Sequence, residues 1–192
     1  QVGSISGLRS NGGDINLTSV DGSFSVIEAV DLSGGSLELR ATESNETVTA
    51  NIQLDGNISA ANISLIAADN IIQGINSQIN TNGLGISAES APALNGFDID
   101  TLAVNLTGTN AVFDFTDANG FSIGSVGSLS GIQTQNGAVT LLSQNGSINV
   151  NQSIDIGTAI LDITTAENFE STSAALQLAA DINAGQVRLQ SA

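Results

Sequence analysis

Apolar residues alternate with polar ones in short runs along the whole chain. The pairs Ile15/Leu17, Leu37/Leu39, Ile63/Leu65, Leu84/Ile86, Phe113/Phe115, Val139/Leu141, Leu161/Ile163 and Val187/Leu189 each enclose one residue. The enclosed residue is polar in Asn16, Glu38, Ser64, Asp114, Thr140, Asp162 and Arg188. Strict alternation predicts a strand with one face buried and the other in water. About five residues after most pairs comes a turn signal such as Asp21-Gly22, Asp69-Asn70 or Asn145-Gly146, usually followed by a further apolar residue such as Phe24, Ile72 or Ile148. A second signal, such as Asn82-Gly83 or Asn136-Gly137, precedes the next pair. The 3.6-residue period of a helix is missing, and β-branched residues and glycine disfavour one.

The pattern also repeats over a longer distance. The stretch "VGSISGLRSNGGDINL" at 2–17 returns as "VGSLSGIQTQNGAVTL" at 126–141, and residues 2–68 lie over 126–192 without a gap at an offset of 124. About a third of the aligned positions are identical, and Ile5 over Leu129, Ile15 over Val139, Leu32 over Ile156 and Ile63 over Val187 exchange like for like. The chain therefore reads as one long unit (2–125) and a partial second copy (126–192) within a single continuous segment, 1–192.

Within the long unit the chain divides at Asp14–Gly35, Ser36–Ala61, Asn62–Gly83, Leu84–Asn110 and Ala111–Gly137, then Ala138–Thr158 and Ala159–Gly185. The predicted fold is all-β: a parallel β-helix, or solenoid. It has about eight coils of roughly 21–27 residues each, the period of a stacked repeat, inside the longer tandem repeat. Apolar pairs are expected to stack column on column, five coils to the unit. At about 4.8 Å per coil the segment would be a rod on the order of 40 Å long.

Composition narrows the chemistry. The net charge is −16, with Lys+Arg 3 against Asp+Glu 19 and no His. Nucleic acids and anionic membrane surfaces need clustered cations, so neither is an expected partner. Cys, Met and Trp are absent, which removes thiol catalysis, thiolate metal sites and a disulfide scaffold. No apolar run approaches the ~18 residues of a spanning helix, so membrane insertion is not expected. The chain begins with Gln and shows no signal peptide, and it is expected to be a mature chain or a fragment. Its last residues, "VRLQSA", follow a strand in mid-coil without a cap, which predicts a slice of a longer shaft.

The phrases "NGGDINLTSVDGSF", "DFTDANGFSIGSVGSLSGIQTQNGAVTL" and "ADINAGQVRLQSA" resemble the repeats of filamentous-haemagglutinin-type proteins, very large bacterial surface adhesins, many of them exported by two-partner secretion. The resemblance covers essentially the whole chain and implies a right-handed β-helix, a secreted or cell-surface location, and a role in adhesion or matrix. The amino-terminal secretion domain of that family and its motif are not visible in these residues. On this reading the chain is a rigid acidic shaft rather than an enzyme. Its expected partners are neighbouring repeats of the same or identical chains, with host or matrix glycans or proteins engaged through other regions. The alternatives are a self-assembling extracellular filament or sheath subunit and, from another class, a carbohydrate-active β-helix enzyme. Ice binding would want a regular Thr-X-Thr face, which the mixed outward columns lack.

Candidate sites are numerous and unselective, and no catalytic, cofactor-binding or metal residue is assigned. Sequons stand at Asn16, Asn45, Asn57, Asn62, Asn105, Asn145 and Asn151, as a composition rich in Asn, Ser and Thr produces by itself. Glu43, Glu46 and Asp31 recur as Glu167, Glu170 and Asp155. Two carboxylates three apart are too few for Ca²⁺, which takes six to eight oxygens, so weak nonspecific Ca²⁺ is the most such corners would hold and no cofactor is expected. Asp98 with Asp100, or Asp114 with Asp117, could form the acid–base pair of a glycosidase if held about 5–9.5 Å apart. The segment "SAESAPALNGFDID" at 87–100, with the sole proline Pro92, reads as an insertion lengthening one coil. Phe113, Phe115 and Phe121 read as a stacked core ladder.

Overall fold

The computed structural model describes residues 4–5, 7–167 and 174–192. Among them there is no helix, and parallel strands stack as a solenoid of about eight turns. Each turn visits three faces. Face A carries Ile15–Val20, Leu37–Thr42, the second halves of Ile58–Ala67 and Ile79–Ala88, residues 102–106, Ile132–Gln135, Ile154–Asp155 and Ile182–Asn183. Face B carries Phe24–Val26, Ile52–Leu54, Ile71–Gln73, residues 90–94, Phe113–Asp117, Val139–Ser143, Ile160–Thr165 and Gln186–Ser191. Face C carries Val30–Asp31, residues 58–60, 79–81 and 97–101, then Phe121–Ile123, Ile148–Val150 and Leu176–Leu178.

The core follows from the alternation. Face A stacks Leu39, Leu65, Ile86, Val104, Ile132 and Ile154 as one buried column, with Leu17 and Ile182 half-buried at its ends. Burying a side chain of this size stabilises by about 1.5–3 kcal/mol relative to leaving it in water. Turns are sewn to the next turn at their corners by short polar side chains. Asp14 accepts from the Ser36 N–H at 2.7 Å, Asp21 from Ser44 at 2.6 Å, Asn57 from Gln78 at 2.9 Å and Asn136 from Thr158 at 3.0 Å. These bonds satisfy backbone donors that the strand ladders leave over at the bends.

Expected stacking holds within two groups and breaks between them. The pairs Ile15/Leu17, Leu37/Leu39, Ile63/Leu65 and Leu84/Ile86 lie in register, as do Phe113/Phe115, Val139/Leu141, Leu161/Ile163 and Val187/Leu189. Phe113/Phe115, however, does not follow Leu84/Ile86. The pair above Leu84/Ile86 is Leu102/Val104, and Phe115 sits on Leu94 one face further round. The cause is the 17-residue strand Ala93–Thr109, which runs through two corners without a loop. The 87–100 segment thus shortens a turn instead of lengthening one: Ile79 pairs with Phe97, a smaller advance along the chain than from Ile15 to its partner Leu37. Pro92 lies between Ile79–Ala88 and Ala93–Thr109, exposed, where its missing N–H interrupts no ladder.

Candidate functional site

The exterior of the solenoid offers shallow grooves, a projecting hairpin and an acidic corner. The largest groove, about 720 Å³, runs along face C. Its floor is the outward ladder Asp31, Ser59, Asn80 and Asp98, one residue per turn. Asn119 donates to Asp98 Oδ1 at 2.8 Å and Asn80 to Asp98 Oδ2 at 3.4 Å. The first and last carboxylates of this ladder are three strand spacings apart, about 14 Å, beyond the separation of a glycosidase pair.

A second groove of about 510 Å³ lies beside the loop at 74–78. Gln73 anchors it, donating to the carbonyls of Ser77 at 2.8 Å and Asn95 at 2.6 Å and accepting from the Asn95 N–H at 2.6 Å. The loop holds Ile75 100% exposed at its tip.

The hairpin is the most developed outward feature. Ser125–Val126 pairs antiparallel with Leu129–Ser130, the Gly131 N–H donates to the Gly124 carbonyl at 2.8 Å, and the two serine hydroxyls bond at 2.9 Å. It folds back over face A, where a Cβ on Gly83 or Gly85 would stand 3.3–3.5 Å from Val126 and Leu129. Gly85 and Ala103 replace the polar residues found at this outward column in earlier turns, and Ala103 is buried under the hairpin. A groove of about 310 Å³ remains beside the hairpin, lined by Asn16, Glu38, Asn62 and Ser64. Glu38 in it is paired with Arg40 at 3.3 Å.

Of the candidate carboxylate pairs, one is separated and one is not. Asp114 points outward and Asp117 inward, so this pair does not converge on a substrate. Asp117 is 0% exposed, accepting backbone N–H bonds from Ile99 at 3.1 Å, Asn119 at 3.0 Å and Gly120 at 2.8 Å. Burial pushes its pKa up to about 6 despite those three donors, with the Asp98 charge adding to the rise. Asp98 and Asp100 both stand exposed, two residues apart along one strand.

Asp21, Glu43, Glu46, Asp69 and Glu89 gather at the corner between faces A and B, where desolvation first and then the Asp69, Glu46, Glu89 and Asp21 charges raise the Glu43 pKa. Asp21 and Asp69 already serve as staples, Asp69 accepting from the Ala50 N–H at 2.7 Å. Among the described residues no group of three or more His, Cys, Asp or Glu has the geometry to hold a metal ion. Glu170 lies outside the described residues. Asp31 and Asp155 bond to local backbone at Ser33 and Gly157, and Asn183 donates to Asp155 at 2.8 Å.

Sequon residues Asn16, Asn45, Asn57, Asn62 and Asn151 are exposed, while Asn105 and Asn145 are half-buried. Phe113, Phe115 and Phe121 are core, and Phe97 joins them. Phe97–Phe115 centroids are 5.1 Å apart, Phe113–Phe115 stack at 6.0 Å and Phe115–Phe121 meet edge-on at 5.2 Å. These rings fill the junction where the long strand changes face, and they offer no sugar-binding surface. Sequence reasoning missed the hairpin; its signals were the glycines Gly124 and Gly131 around it and the small residues Gly85 and Ala103 at outward positions. Among the described residues no helix is long and apolar enough to cross a membrane.

The chain matches no family model, no curated protein and no solved structure.

Proposed function

We propose that the chain is a structural segment of an extracellular rod, the acidic shaft of a large surface adhesin built from tandem 124-residue units. One observation carries the reading: residues 15–67 and 139–191 pair their strands in the same registers. Ile15↔Leu37 recurs as Val139↔Leu161, Phe24↔Ile52 as Ile148↔Leu176, Val30↔Ile58 as Ile154↔Ile182 and Leu37↔Ile63 as Leu161↔Val187. A unit whose copy continues the same stack can be repeated without limit, because each turn buries its apolar column on the next. The grooves are shallow, and no acid–base pair has been brought together in one, which weighs against catalysis. The resemblance to haemagglutinin-type repeats supports the adhesin part of the reading.

Electron microscopy of the protein isolated from its source, with the denatured chain sized in parallel, tests this. Unbranched threads from a single long polypeptide are expected. Threads that dissolve into short chains would replace the shaft with a self-assembling filament. Compact particles would overturn both, and Asp98 and Asp100 would then be tested for polysaccharide cleavage.

A further inference from the structure

The unit does not close on a whole number of turns. From Leu17, five turns up face A lead through Leu39, Leu65, Ile86 and Val104 to Ile132. The residue equivalent to Leu17 in the next copy is Leu141, nine residues beyond. Leu141 lies past the Asn136-Gly137 corner on face B, in the column Leu94, Phe115, Leu141, Ile163, Leu189. The same advance holds for every repeated strand. Phe24–Val26 is on face B and its copy Ile148–Val150 on face C; Val30–Asp31 is on face C and its copy Ile154–Asp155 on face A.

We propose that successive units of the shaft are related by about one third of a turn, so that each repeated outward residue of the unit recurs on three lines around the rod. This rests on the tandem reading given above. The features it distributes are repeated outward residues such as Asp31 on face C and its copy Asp155 on face A. The hairpin is not one of them, since the first copy of its sequence includes Ser4–Ile5, which pairs parallel with Ser25–Val26 on face B. At about 4.8 Å per turn a unit advances the rod by about 26 Å, and a repeated outward residue returns to the same line every third unit, about 77 Å on. A partner gripping the rod from one side therefore meets a given repeated residue in one unit out of three. Neighbours on three sides meet equivalent surfaces, so lateral contacts made through repeated outward residues produce three-sided bundles and not flat ribbons.

The device that sets the rotation is the short turn between Ile79 and Phe97, and it is testable in this chain. There is no native cysteine to interfere. Paired residues on neighbouring parallel turns are about 4.8 Å apart at Cα, within the roughly 4.4–6.8 Å that a disulfide spans. Ser87 pairs with Asn105 and Ala93 with Asp114. If the unit made five even turns, Ser87 would instead pair with Thr116.

Under mild oxidation the double variants S87C/N105C and A93C/D114C are expected to cross-link nearly completely, and S87C/T116C not at all. Cross-linking of S87C/T116C, with S87C/N105C left open, would overturn the one-third turn. Circular dichroism of the reduced variants checks their folding, and averaged images of native threads give an independent measure. A threefold screw with a true repeat of about 77 Å supports the proposal, whereas unrotated units spaced by five strand separations, about 24 Å, contradict it. Cross-links as expected but no threads would remove the tandem reading and leave the rotation within this chain intact.

Discussion

Residues 15–67 and 139–191 have the same registers and very different surroundings. Some contacts in their loops and at the corners just ahead of them are copied as well, although Asp14, which accepts from the Ser36 N–H, has Ala138 as its copy. Ser10 closes a turn on the Gly13 N–H at 2.8 Å, and Thr134 does the same for Gly137 at 3.1 Å. Ser23 accepts from the Asn51 N–H at 3.0 Å, and Ser147 from Ala175 at 3.1 Å. Even a defect is shared: the hydroxyls of Ser19 and Ser143 are both buried without a partner. Yet Leu65 is 0% exposed while its copy Leu189 is 46% exposed. The difference is the turn above. Leu65 carries Ile86 on it, whereas among the described residues Gln186–Ser191 pairs only with Ile160–Thr165. Burial in a solenoid is a property of the neighbouring turn, and a residue's own sequence context sets only its direction.

That comparison can be broken most severely at a glycine. A Cβ on Gly137 would lie 1.8 Å from the Ala111 carbonyl oxygen, a clash with backbone that cannot move aside, whereas at the equivalent Gly13 it would meet only the Ser10 hydroxyl at 3.0 Å. Gly137→Ala is expected to cost about 4 kcal/mol or more and Gly13→Ala about 1 kcal/mol, read from urea unfolding. Equal costs would mean that the two corners are built alike.

The apolar columns come next. Leu65→Ala should cost about 3 kcal/mol by opening a cavity, and Leu189→Ala less than about 1 kcal/mol because water already reaches it. A Leu189 cost as large as that of Leu65 would show its face to be covered in solution.

The later copy also extends a polar column that the earlier one lacks. Asp117 stacks on Ser143, which stacks on Thr165 and then Ser191, with a 3.2 Å bond between the last two hydroxyls; the earlier copy places Ala41 and Ala67 above Ser19. The native pKa of Asp117, about 6, lies above its ordinary 3.8, so the folded state binds this proton more tightly than the unfolded chain does. Its contribution is present below the unfolded value and is lost as pH rises through about 6, a change of up to about 3 kcal/mol. Unfolding wild type and Asp117→Asn in parallel between pH 4 and 7 isolates the effect from the general repulsion of an acidic chain. Wild type should lose its advantage over the variant as pH rises; a constant difference would place the carboxylate in its ordinary range.

The smallest effect is expected at the acidic corner. Glu43→Gln relieves repulsion from Asp69, Glu46, Glu89 and Asp21 and should raise the melting temperature slightly, by an amount that shrinks as salt is added. A fall would show Glu43 holding a cation or a hydrogen bond.

Much of this architecture was legible because strand alternation and Asn/Gly corners are local signals. Ile15/Leu17 and the pairs after it identified their own inward faces, and the offset of 124 identified the copies. What alternation does not encode is which of three faces a strand occupies. Leu84/Ile86 and Phe113/Phe115 look like consecutive openings, and only the uninterrupted Ala93–Thr109 shows that a turn and part of another lie between them. Leu94, Phe97, Ile99, Leu102, Val104 and Leu106 are all buried along it, and its first bend is marked only by Asn95-Gly96, where Gly96 has φ +72° and the register shifts between Leu94 and Phe97. The outward surface was less legible, since the ridge at 125–130 exists through long-range contact with Gly83 and Gly85.

Spin-label distances across the repeat test the central claim most directly. Thr18 shares a column with Gln133 through Arg40, Ile66, Ser87 and Asn105, five spacings or about 24 Å apart. Its repeat equivalent is Leu142, on the next face. Labels at T18C/Q133C should give the shorter, narrower distance and T18C/L142C the longer one. The reverse order would mean that the unit closes in five even turns, and the face change built here from the strand at 93–109 would be wrong.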